Sequence, residues 1–159
     1  FLVLYLSRER GYSLHAAAYT LSTYLAAGAL GGIAGGQLSA WFGPKRVIQH
    51  SFLWSAPLMA IFFLTRSPWG VACLIAGGLV LLFTIPVNVT VAQRLAPTQA
   101  GTVSALLMGF AWGAAGMIFV PFTGWLADRT SLHTALASLL VFPVLGFWLS
   151  RKLPEDLSE

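Results

Sequence analysis

Apolar stretches of helix length follow one another along this chain almost without interruption, and nearly every charge falls in the short gaps between them. Charged residues make up only 9% of the chain and hydrophobic residues 57%, with a mean hydropathy of +0.78. A water-soluble domain of 159 residues needs far more polar surface, so the solvent for most of this chain is lipid. An unpaired backbone N–H or C=O in hydrocarbon costs several kcal/mol, so apolar stretches of about 20 residues must cross as helices. The expected fold is all-α, a polytopic membrane helix bundle.

Hydropathy marks five full spans, at about 16–38, 47–64, 69–92, 102–126 and 132–149. The opening Phe1-Leu2-Val3-Leu4-Tyr5-Leu6 would rise only about 9 Å as a helix, and it has no charged leader before it. It reads as the last turns of a helix that begins upstream, making six crossings in all. Arg151-Lys152-Leu153-Pro154-Glu155-Asp156 reads as a charged stop. The expectation is the C-terminal part of a longer protein, with 1–153 as the transmembrane bundle and 154–159 as a cytoplasmic tail. The short loops make neighbouring helices antiparallel and leave no room for a second soluble domain.

Alternating loops place Arg8, Arg10, Arg66 and Arg129 on one side and Lys45, Arg46, Arg94, Arg151 and Lys152 on the other. The richer side is expected to be cytoplasmic. The net charge of +4 suits loops facing anionic lipid, and no basic run is long enough for a nucleic-acid patch. Trp41, Trp69, Trp125 and Trp148 lie near span ends, where indole rings anchor at the interface, while Trp54 and Trp112 lie deeper. Cys73, the lone cysteine, reads as a small apolar filler. Asn88-Val89-Thr90 matches a glycosylation pattern at a depth where no acceptor would be reached.

The first span carries Gly28, Gly32 and Gly36 at four-residue spacing, with Gly31 and Gly35 on an adjacent stripe. The fourth repeats the device with Ala105, Gly109, Gly113 and Gly116. Lipid gives helices little hydrophobic reason to associate, so close backbone approach over small residues has to supply the contact; Gly28, Gly32, Gly109 and Gly113 are therefore the expected packing positions. An offset of 88 positions aligns the two spans, pairing Ala26-Ala27-Gly28 with Ala114-Ala115-Gly116 and Tyr24 with Trp112, which fits a repeat of two three-helix units. Pro57, Pro86, Pro121 and Pro143 lie within spans, and Thr84, Asn88 and Thr90 surround Pro86. Those polar groups either line a water-filled path or satisfy backbone freed by the proline.

The constellations that catalysis needs are not apparent. The acids are Glu9, Asp128, Glu155, Asp156 and Glu159, all at loops, ends or the tail, and His15, His50 and His133 are scattered near helix ends. No enzyme, metal or cofactor is expected, and no phosphate-binding glycine loop appears. No ionisable group is expected at mid-membrane, where such groups are functional by default.

Gly36-Gln37-Leu38-Ser39-Ala40-Trp41-Phe42-Gly43-Pro44-Lys45-Arg46 resembles the loop motif G-x-L-x-D-R-x-G-R-R/K of the major facilitator superfamily. Gly36, Gly43, Lys45 and Arg46 match; Ala40, Trp41 and Pro44 depart from the motif, which is usually degenerate in the second half of these transporters. Ala92-Gln93-Arg94-Leu95-Ala96-Pro97, Gly101-Thr102-Val103-Ser104-Ala105, Gly109-Phe110-Ala111-Trp112-Gly113, Gly124-Trp125-Leu126-Ala127-Asp128 and Leu153-Pro154 look like the fosmidomycin-resistance branch. There, Arg94 stands for a Glu, and Ala105 and Ser131 for glycines. The resemblance implies the C-terminal six-helix half of a twelve-helix transporter, from the tail of helix seven to helix twelve. It implies a multi-pass protein of the plasma (inner) membrane that exports small molecules or drugs by proton antiport, partnered by an N-terminal six-helix half that carries the titrating carboxylate. Tyr24, Gln49, Asn88, Gln93, Ser104 and Trp112 are then the candidates to line the substrate cavity. The other classes considered are a non-transporting membrane subunit or anchor, and a membrane-embedded transferase, which would normally show Asp or His clusters at the membrane surface.

Overall fold

In a computed structural model, which describes residues 1–153, the chain forms a helical bundle. The tail, with Glu155, Asp156, Glu159 and Pro154 of the last motif, lies outside the described residues. A short α1 (Leu2–Arg8) leads into α2 (Leu14–Phe42), followed by α3 (Pro44–Leu64), α4 (Pro68–Leu82) and α5 (Thr84–Leu95). A 3₁₀ turn (Pro97–Gln99), α6 (Ala100–Ala105), a π-helical segment (Leu106–Ala111) and α7 (Trp112–Arg129) form one continuous rod, and α8 (Leu132–Ser138) and α9 (Val141–Ser150) form the last.

Among the described residues, four stretches are long and apolar enough to cross a membrane: Pro44–Leu64, Pro68–Leu95, Pro97–Arg129 and Leu132–Ser150. They correspond to four of the five expected spans. The fifth, α2, has 29 residues and length to spare, but its run of Ala, Gly, Ser and Thr keeps it out of that apolar class. Such a helix gains less from lipid and more from protein neighbours, and α2 packs chiefly against α4.

Local chemistry sets the helix boundaries. Ser13, Ser67 and Ser131 accept backbone N–H bonds from Ala16, Trp69 and Thr134 and cap α2, α4 and α8. Two turns need glycine: Gly11 at φ +72° between α1 and α2, and Gly43 at φ +84° between α2 and α3, with Pro44 opening α3. Pro86 and Pro143 each follow a break by three or four residues, at Phe83 and at Leu139–Leu140. A proline ring clashes with the carbonyl four residues earlier and cannot bond to it, which accounts for both positions.

Two small cores stack along the bundle. One gathers Tyr5, Leu6, Ala17, Phe62 and Leu74; the other gathers Val47, Ile48, Val87 and Val91, with Leu153 packed against it. Between them runs a seam where α2 crosses α4 at backbone range. A Cβ on Gly31 would overlap the Leu79 carbonyl oxygen, and one on Gly35 would lie 2.5 Å from Phe83 Cα. Gly28 meets the Leu82 side chain there, and Gly78 of α4 lies under the Tyr24 ring. The packed stripe is thus Gly28-Gly31-Gly35. A Cβ added at Gly32, Gly36, Gly109 or Gly113 would meet nothing within 4 Å among the described residues, because these positions face away from the seam or lie on the open rod.

The two loop sets separate as charge counting expected. Lys45, Arg46 and Arg94 line one cavity, and Gln49 Nε2 donates to the Ser150 carbonyl at 3.3 Å, bringing Arg151 and Lys152 to the same end. At the opposite end, Arg10 bonds the Phe62 carbonyl and His133 Nε2 lies 3.0 Å from the Phe63 carbonyl.

Candidate functional site

Three polar side chains cluster around Pro86 on α5. At the α4–α5 break, Thr84 Oγ1 donates to the Leu81 carbonyl at 2.8 Å, and one turn beyond Pro86, Thr90 Oγ1 donates to the Pro86 carbonyl at 3.0 Å. The Thr84 hydroxyl serves the interrupted backbone, while the Thr90 bond is an ordinary back-bond one turn down the helix. Asn88, between them in sequence, is exposed and makes no hydrogen bond among the described residues. The two readings of this stretch thus divide by residue: Thr84 serves the broken backbone, and the Asn88 amide is exposed.

One turn further along α5, Gln93 Nε2 donates at 2.7 Å to Ser104 Oγ of α6, whose hydroxyl donates in turn to the Ala100 carbonyl at 2.8 Å. The bond ties α5 to the start of the next rod and leaves the Gln93 carbonyl oxygen for another donor. Beyond Ser104 the rod widens into the π-helical segment Leu106–Ala111, which ends at Trp112. A π turn inserts an extra residue per turn, loosens the ladder and is frequent at functional sites. Gly109 lies within the π segment and Gly113 just beyond it, neither meeting a neighbour within 4 Å among the described residues, and Trp112 is 59% exposed.

The six cavity candidates therefore occupy different settings. Asn88, Gln93 and Ser104 share the α5–α6 region. Trp112 stands further along the rod at the π segment. Tyr24 is half-buried in the α2–α4 seam over Gly78. Gln49 sits at the loop end of α3, bonded to the Ser150 carbonyl and lining the basic cavity of about 580 Å³ with Lys45, Arg46 and Arg94. Of the loop-motif residues, Gly43 forms the turn, Lys45 and Arg46 open α3, and Gly36 faces outward from α2.

Sequence reasoning passed over a polar knot at the opposite end. The Glu9 carboxylate accepts the backbone N–H groups of Leu132 at 2.8 Å and His133 at 3.2 Å. Arg10 Nε donates to Tyr5 Oη at 3.1 Å, and the guanidinium lies 4.2 Å from the Phe62 ring centroid. The loop after α1 is thereby fastened to the end of α3 and the start of α8. Glu9 and Arg10 looked like ordinary loop charges; the closely spaced Tyr5, Glu9 and Arg10 were the only signal.

A small polar patch beside a proline break and a π segment, on a bundle of apolar rods, fits a protein that moves solutes across a membrane. The sequence profile of the Major Facilitator Superfamily matches residues 1–159, and the chain belongs to that superfamily. It is 39% identical over 147 residues to the "Uncharacterized MFS-type transporter YfnC" of Bacillus subtilis (strain 168), covering 91% of this chain and 35% of that protein. It is 31% identical over 156 residues to the "Fosmidomycin resistance protein" of Escherichia coli (strain K12), covering 98% of this chain and 38% of that protein. The branch resemblance read from the motifs agrees with that relative. The chain spans little more than a third of the length of these curated relatives. No solved structure matches it.

Proposed function

We propose that this chain is the C-terminal bundle of a secondary transporter that exports small molecules or drugs by alternating access, coupled to protons. The observation that carries this reading is the 31% identity to a fosmidomycin resistance protein over 98% of the chain. Superfamily transporters work by rocking two bundles about a central site. The relatives have ample further length for an N-terminal six-helix half, and that half would hold the titrating carboxylate, since the acids of this chain lie at loops, ends and tail. Asn88 and the Gln93–Ser104 pair supply neutral polar contacts on this half, next to a segment whose weakened ladder suits bending. The end bearing Lys45, Arg46 and Arg94 faces the cytoplasm, in the plasma (inner) membrane.

Everted membrane vesicles containing the full protein provide the test. Uptake of fosmidomycin or an amphipathic drug should require a proton gradient and stop when a protonophore is added. Uptake that is absent, or unchanged by the protonophore, overturns the reading.

A further inference from the structure

A second cavity, of about 610 Å³, lies near the turn at Gly43 between α2, α3 and α4 and shares Arg46 with the basic cavity. Its walls are apolar on two helices: Leu38 and Phe42 of α2 and Val80 of α4, closed by Phe83. The third wall differs. Arg46, His50 and Trp54 recur at every fourth residue of α3, so they form one stripe along the groove. All three are exposed, and Arg46 and His50 have no hydrogen bond or ion pair among the described residues.

The stripe is graded in polarity along the membrane normal. At 1.5 Å per residue, His50 lies about 6 Å and Trp54 about 12 Å deeper than Arg46. The polar layer on each side of a bilayer is about 5–8 Å thick. A guanidinium at the loop therefore stands at phosphate level, an imidazole at the ester boundary, and an indole among the acyl chains. The volume lies within the about 300–1,000 Å³ range of ligand pockets.

We propose that this groove is a binding site for an anionic phospholipid of the leaflet on the Lys45–Arg46 side. The Arg46 guanidinium holds the phosphate through paired N–H donors, His50 bonds an ester or phosphate oxygen, and one acyl chain lies along Leu38, Trp54 and Phe83. Charge selects the occupant: a zwitterionic lipid offers the same chains, but its headgroup cation opposes Arg46. Basic pockets between membrane helices bind anionic headgroups in this manner. The inference needs only that the chain is membrane-embedded and stands whether or not the protein exports drugs.

The test uses the full protein in nanodiscs holding equal fractions of lipid dibrominated on the acyl chain, either phosphatidylglycerol or phosphatidylcholine. Bromine quenches a nearby indole, and subtracting a Trp54→Phe variant isolates the Trp54 signal. Brominated phosphatidylglycerol should quench Trp54 more strongly than brominated phosphatidylcholine. Arg46→Gln should reduce that preference about fivefold, the order expected for one basic residue near an anionic surface, and Arg46→Lys should restore part of it. Unchanged helical circular dichroism shows that each variant is folded; if Arg46→Gln is not, His50→Gln takes its place and should weaken the preference in the same direction. Equal quenching by both lipids, or a preference indifferent to Arg46 and His50, overturns the proposal. So does the absence of Trp54 quenching by either lipid, which would mean that protein covers the groove.

Discussion

α2 and the rod Pro97–Arg129 carry the same small-residue device and align at an offset of 88, yet they meet opposite surroundings. Along α2, Gly28, Gly31 and Gly35 press on α4 closely enough that no side chain fits at Gly31 or Gly35 without moving backbone. Along the rod, Gly109, Gly113 and Gly116 face open space among the described residues, and none of its most apolar stretch is buried by them. The rod touches the rest mainly near its ends, through α5 and α8 and through Phe119 against the Phe142 ring at 4.8 Å. Glycine spacing therefore records a capacity for close approach; a neighbour decides whether that capacity is used.

The largest effect should fall on the seam. Gly31→Val or Gly35→Leu forces side chain into backbone, and overpacking of this kind costs about 1–3 kcal/mol or more. Loss of folded protein in the membrane fraction, or a lowered unfolding midpoint, would show it. Gly28→Ala should cost less, because the atom it meets is the flexible end of Leu82. At the far end of the bundle, Glu9→Gln weakens two charge-assisted bonds to the start of α8 and should lower stability by about 1 kcal/mol, read from the same midpoint. Gln93→Ala and Ser104→Ala, taken singly and together, should show a coupling of about 0.6 kcal/mol, the usual size for polar pairs between membrane helices. Smallest is Gly109→Ala or Gly113→Ala, expected within about 0.5 kcal/mol of the parent. A seam-sized loss there would end the contrast between the two helices.

Much of the architecture was readable because lipid enforces simple rules. Every expected span is helical, 69–92 and 132–149 each as two helices about a break, with ends displaced by a few residues, as at Ser39–Phe42. The charge-sorted loops likewise follow from length and antiparallel packing. The choice of Gly31 and Gly35 over Gly32 was not readable, because it depends on which face α4 takes. Prolines marked two interruptions, but the π segment has no comparable signal beyond Gly109. Of the site, Gln93 and Ser104 were each nominated, while their bond to one another required knowing how α5 meets α6. Gln49 resembled them in type and lies in a different setting, bonded to a helix-end carbonyl. The Glu9 and Arg10 knot was hidden because loop charges normally face water.

Thiol labelling tests most directly whether Asn88 faces a water-filled path or lipid. In a background with Cys73→Ala and every other cysteine of the full protein replaced, Asn88→Cys and Ser55→Cys would be treated with a charged, membrane-impermeant maleimide; Ser55 is fully buried. The account predicts rapid modification at position 88, slowed by transported drug, and essentially none at position 55. Equal, negligible labelling at both positions would contradict it, since an Asn88 surrounded by lipid or protein cannot line a transport path.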